Sequence, residues 1–186
     1  MGVIPAKEKM PTSKFVFPKN GATISANQTF TVQMRIKDLE TGNFVNAVQN
    51  YFAAPQQLNG QGVIRGHSHV VIQNMPAVDS TDLLNPAEFV FFKGLNSVGS
   101  GAGILTVEVT NGLPAGVYKI SSINTASNHQ PALAPVAQHG ALDDTIYVSP
   151  SSDLVMLNIA SDLGSTSSQF PVRYALLVCG PTRVHH

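Results

Sequence analysis

From residue 30 to residue 36 the chain alternates apolar and polar side chains without a break, and this alternation constrains the fold more than any other feature of the sequence. Successive side chains of an extended strand point to opposite faces. Phe30, Val32, Met34 and Ile36 therefore share one face, and Thr31, Gln33 and Arg35 share the other. The same period marks strands over residues 67–73, 104–110 (Leu105, Val107 and Val109 inward), 117–123 and 145–149 (Ile146 and Val148 inward), with shorter ones over 15–17 and 89–92. Between Val109 and Val117 stands Thr-Asn-Gly-Leu-Pro-Ala-Gly, rich in residues that accept positive φ or preset φ, so the strands on either side read as a connected antiparallel pair. Several short strands separated by Gly-, Pro- and Asn-rich turns, without long helical patterns among them, predict an all-β fold: an immunoglobulin-like antiparallel β-sandwich with long loops and a C-terminal extension. Residues 43–57 are the least regular, a short helix or an irregular excursion with Pro55 as its stop.

The sandwich is expected over residues 1–149. At Pro150-Ser151-Ser152 the character changes to a Ser-rich stretch followed by the apolar run Tyr174-Ala175-Leu176-Leu177-Val178-Cys179, so 150–186 reads as an extension, docked or disordered. Docking is favoured, because Leu154, Val155, Leu157, Tyr174, Leu176 and Val178 would form an apolar patch if left in water together. The single cysteine, Cys179, precludes a disulfide within the chain and lies in an apolar run without a nearby His, which suits a buried thiol rather than a nucleophile.

Charged residues make up only 12% of the chain and the formal net charge is zero, with no run of Lys or Arg, so nucleic acid is not an expected partner. No stretch approaches the ~20 apolar residues of a membrane span. Low charge combined with abundant Asn, Gln, Ser and Thr suits a secreted, extracellular β-domain. The first residues lack a hydrophobic signal core, so secretion implies that this stretch starts after a signal. Asn27-Gln28-Thr29 fits the glycosylation sequon, which agrees with that setting. Nucleophile-elbow, zinc-peptidase-helix and phosphate-loop motifs are absent, and the glycine-rich residues 99–103 precede a strand, which reads as a hairpin loop.

The residues that could carry chemistry are histidines. In Gly66-His67-Ser68-His69 alternation projects His67 and His69 from the same face, with Ser68, Val70 and Ile72 on the other. Two more follow in Asn128-His129-Gln130-Pro131 and Gln138-His139-Gly140, where loops collect functional residues. If these loops converge, His67, His69, His129 and His139 make a three- or four-nitrogen site for copper or zinc, both of which accept neutral imidazole. Neutral histidines also hydrogen-bond loop backbone without binding anything. Asp143 and Asp144, close to His139 in sequence, could orient an imidazole, though a turn leading into Thr145 is the favoured reading; Glu108 reads as a solvated strand residue.

The set Leu39-Glu40-Thr41-Gly42-Asn43-Phe44-Val45-Asn46, Asn50-Tyr51-Phe52-Ala53-Ala54-Pro55-Gln56-Gln57, Gly66-His67-Ser68-His69-Val70-Val71-Ile72, Asn128-His129-Gln130-Pro131 and Gln138-His139-Gly140 resembles a family of secreted fungal proteins, some of which carry ribosomal-protein labels. The resemblance covers residues 1–149; it implies a fungal, extracellular setting and no particular activity. A weaker similarity is to bacterial immunoglobulin-like domains with a His-rich strand and a later Asn-His. The His-x-His strand also looks faintly like the copper-binding strand of copper/zinc superoxide dismutases, but the rest of that ligand pattern and the disulfide are missing, so dismutation is not implied. The expected function is a secreted binding or interaction protein that uses its histidine-bearing end, with an extracellular polymer or cell-surface ligand as its partner. A metal-dependent extracellular enzyme, oxidative or hydrolytic, acting on polymer, and a metal-free cell-wall or surface structural protein are the alternatives. The sequence shows no aromatic platform to choose among them, since Trp is absent and the tyrosines are scattered.

Overall fold

The computed structural model describes residues 1–154. The expectations for the tail, including the docking of the apolar run at 174–179 and the burial of Cys179, lie outside the described residues. In chain order the strands are β1 (Thr12–Phe17), β2 (Ala22–Ser25), β3 (Phe30–Lys37), β4 (Leu39–Glu40), β5 (Ile64–Met75), β6 (Phe91–Leu95), β7 (Ile104–Val109), β8 (Val117–Ala126) and β9 (Thr145–Ser151), with the four-residue helix α1 (Ala47–Asn50) between β4 and β5. The chain is mostly β. One sheet has the order β1-β3-β7; the other runs β2-β9-β8-β5-β4, with β6 also paired to β5.

The alternation read at β3 sets the core. Val32, Met34 and Ile36 are buried while Gln33 and Arg35 are exposed, and the partners across the ladders, Phe15 on β1 and Leu105 and Val107 on β7, are buried with them. The facing sheet contributes Val70, Ile72, Ile120, Ile146 and Val148 to the same continuous cluster. Each such fully buried aliphatic side chain contributes about 1.5–3 kcal/mol relative to exposure. Glu108 opposes Thr31 on the solvent side of its sheet, as expected.

Three sequence-based expectations change. Residues 110–116 do not close a hairpin: β7 pairs with β3, whereas β8 pairs with β5 and β9, so this turn carries the chain from one sheet to the other. Leu113 explains the crossing, since it is buried in the core and its carbonyl accepts from Asn27 N at 2.8 Å. Residues 96–103 likewise connect strands of different sheets rather than a hairpin. Nor is the pairing wholly antiparallel, for β2 runs parallel to β9 and β4 parallel to β5. Both arise where a short strand after a tight turn lies along the free edge of a longer one, and both short strands have few apolar residues to announce them. The other sheet-to-sheet ties are polar. Asp144 accepts from Phe15 N at 2.8 Å and pairs with Lys14 at 3.0 Å, and Asn124 Nδ2 donates to Ser13 Oγ at 3.0 Å.

Candidate metal centre

β5 presents its even-numbered side chains Val70 and Ile72 to the core, so His67 and His69 stand together on its other face. Register then supplies their surroundings. His67 lies opposite Thr125 on β8, and His69 lies between Ile123 on β8 and Gly94 on β6. Beyond the end of β8 the chain folds back through Asn128, whose Oδ1 accepts from Gln130 N at 3.1 Å and whose side-chain amide donates to Ala54 O. That turn holds His129 at φ 68°, an uncommon conformation for a residue with a Cβ, and swings its ring over β5. His67, His69 and His129 thereby form one group in which a ligand nitrogen from each lies within 4.8 Å of the others; the first two are buried and the third is half-buried. The ring centroids are 4.7 Å apart for 67–69, 4.6 Å for 67–129 and 5.7 Å for 69–129.

The irregular segment after β4 closes over this face. Asn43 N donates to Gly66 O, Val45 N to Ser127 O and Phe52 N to Asn128 O, tying 43–52 across the ends of β5 and β8. Its carbonyls then do something that sequence cannot reveal. Asn43 O lies 3.1 Å from His67 Nδ1, and Val45 O lies 2.8 Å from His129 Nε2. A carbonyl only accepts, so those two ring nitrogens carry the protons, and a neutral imidazole has one proton to give. Burial, with repulsion from the neighbouring rings, lowers the pKa of His67 to about 4, and burial does the same for His69, so both are neutral at physiological pH. The nitrogens left over, His67 Nε2 and His129 Nδ1, face each other at 3.1 Å. The Thr125 hydroxyl, 3.3 Å from His67 Nε2, can serve one of them at most.

His67 and His129 are therefore each fixed through a backbone carbonyl, the arrangement that orients metal-ligating histidines and selects their tautomers. Two nitrogens 3.1 Å apart, each about 2.0–2.1 Å from one ion, subtend roughly 95–100° at it, close to tetrahedral or square geometry. No carboxylate joins the group among the described residues.

The expected fourth histidine is elsewhere. His139 is exposed, its Nδ1 turned to Gly140 O at 2.6 Å, and it does not belong to the group formed by the other three. Asp143 and Asp144 do not orient an imidazole either. Asp143 accepts from Ser122 Oγ at 3.0 Å and Asn124 N at 2.7 Å, on the core side of β8, and desolvation raises its pKa. Sequence reasoning missed Asn43, Val45 and Thr125, and it missed the aromatic surround: Phe44 edges His67 at 6.1 Å, Tyr51 flanks His129 at 6.1 Å and Phe92 lies 5.1 Å from His69. Only the presence of Phe44 and Tyr51 within the irregular segment 43–57 could have hinted at it.

Residues 13–150, from β1 to β9 and including the three clustered histidines, match the CLU5d N-terminal domain. Over 145 residues the chain is 46% identical to Pathogenicity cluster 5 protein d of the fungus Colletotrichum graminicola; the match covers 77% of this chain and 30% of that protein.

Proposed function

The chain belongs to the CLU5d N-terminal domain family, and from that premise we propose that it is a secreted fungal binding domain whose functional centre is a transition-metal site, for copper or zinc, formed by His67, His69 and His129. One observation carries the reading. Two imidazoles each turn one nitrogen to a backbone carbonyl and the other toward its neighbour across 3.1 Å, with the His69 ring beside them. A cation shared by the two facing nitrogens is held there with little competition from water, because His67 and His69 are buried. A divalent ion would take one bond from each of the two, and His69 offers a third.

The extracellular setting is supported by the low charge content and by the exposed Asn27-Gln28-Thr29 turn between β2 and β3. The relative's name ties it to pathogenicity, and we read this domain as acting outside the cell, with an extracellular polymer or cell-surface ligand as its partner. An immunoglobulin-like sandwich is supported by strand order: the first, second and fifth positions of that fold correspond to β1, β3 and β7 in one sheet, and the third, sixth and seventh to β5, β8 and β9 in the other.

Calorimetry tests the site. The 186-residue chain, purified without metal-affinity resin and carrying His185→Ala and His186→Ala, is expected to bind one equivalent of Zn(II) or Cu(II) at neutral pH. His139→Ala should leave binding unchanged, and His67→Ala with His69→Ala should abolish it while preserving the β circular-dichroism spectrum. Saturable binding that survives the double substitution, or none in the parent, overturns the proposal.

A further inference from the structure

Five aromatic side chains cluster at the histidine group, and all five are unusually open to solvent: Phe44 50%, Tyr51 60%, Phe52 51%, Phe89 54% and Phe92 46%. They are not scattered. Phe44, Tyr51 and Phe92 each adjoin a different member of the histidine triad, Phe52 stacks on Tyr51 at 4.2 Å, and Phe89 packs against Phe92 at 5.7 Å. One group rides on the 43–52 segment that covers the site, and the other stands on and before β6. Leaving this much aromatic surface in water around a polar cluster is costly unless something covers it.

Charge narrows what that is. Three imidazole ligands and a divalent ion carry two positive charges, and no carboxylate among the described residues belongs to the group to offset them. Three nitrogens also leave a four-coordinate ion one open position. An anion suits that position, and an aromatic body suits the walls around it.

Building on the metal reading above, we infer that the site binds a small aromatic anion, of the benzoate or phenolate type, whose oxygen takes the open coordination position and whose ring packs among Phe44, Tyr51 and Phe92. Neither half of the ligand suffices alone: a small aliphatic anion has charge but no ring, and a neutral aromatic has a ring but no charge to meet the ion. Ring contacts of this kind strengthen binding by roughly tenfold when two walls contribute.

The test uses the Co(II)-loaded 186-residue chain, with visible d–d absorption reporting changes at the ion. Benzoate is expected to bind roughly tenfold more tightly than acetate, and benzyl alcohol more weakly than benzoate by a similar factor. Tyr51→Leu with Phe92→Leu, both at exposed positions, should bring benzoate down to within about threefold of acetate while acetate and cobalt affinities stay unchanged. Equal affinities for benzoate and acetate in the parent protein, or a benzoate preference untouched by the double substitution, overturn the inference and leave the metal site standing. Failure of Co(II) to bind in the parent overturns both.

Discussion

Lowering the pH from 7.5 to 4.5 should destabilise the metal-free protein chiefly through His67 and His69. Folded, each has a pKa of about 4; unfolded, each returns to about 6.5. Between those values the unfolded chain takes up protons that the folded chain refuses. The stability contributed by these rings is therefore complete above pH 6.5, falls as the pH drops through the window, and stops falling below about pH 4. The slope is about 1.4 kcal/mol per pH unit per ring, so the two units from 6.5 to 4.5 cost about 3 kcal/mol for each. Set against a total of about 5–15 kcal/mol for a typical domain, this is a large loss. Asp143, whose carboxyl is raised by desolvation, works in the opposite direction, so a variant is needed to isolate the histidines. His69→Gln supplies it, replacing the less deeply buried of the two rings. Urea unfolding followed by circular dichroism every half pH unit should show the slope between pH 6.5 and 4.5 shallower in His69→Gln than in the parent by about 1 kcal/mol per pH unit. Identical slopes in the two proteins would refute the assignment of the acid sensitivity to these buried rings.

Gly66 allows β5 and β8 to approach at the register Gly66–Ala126, and a Cβ there would run into the Thr125 carbonyl, beside His67. Gly66→Ala should therefore cost about 1–3 kcal/mol in urea unfolding and weaken metal binding at the same time; an unchanged midpoint and affinity would contradict the packing described. Zinc at one hundred times its dissociation constant should stabilise the folded chain by about 2.7 kcal/mol, a rise in melting temperature of about 5–10 °C that His67→Ala with His69→Ala removes. Expressed through a eukaryotic secretory route, the protein should carry an N-glycan at Asn27, seen as an endoglycosidase-sensitive mobility shift absent in Asn27→Gln, because that turn is exposed.

The strands that carry the core were legible because one face of each is buried and the other wet, as at β3 and β7, where alternation survives in the burial pattern. β6 is displaced, running Phe91–Leu95, because Phe89 and Val90 are as apolar as any strand residue yet lie exposed before it. β2 and β4 escaped notice since two to four residues are too few to show a period. The pairing of His67 with His69 followed from alternation alone. The arrival of His129 did not, for it depends on a positive φ and on the Asn128 turn, and Asn-His in a loop announces neither. Least legible of all was what selects the tautomers. Asn43 and Val45 act through backbone carbonyls, which every residue possesses, so their identity in the sequence carries no trace of the role. His139 looked equivalent to His129 by residue type and loop position, and only the path of the chain separates them.

X-ray absorption at the metal edge, on the 186-residue chain carrying His185→Ala and His186→Ala and loaded with one equivalent of zinc, tests the central claim most directly. Three imidazole nitrogens at about 2.0–2.1 Å, with the outer-shell scattering of imidazole rings and a light fourth ligand, are the expected result. A shell dominated by oxygen with one histidine or none would contradict a site built by His67, His69 and His129.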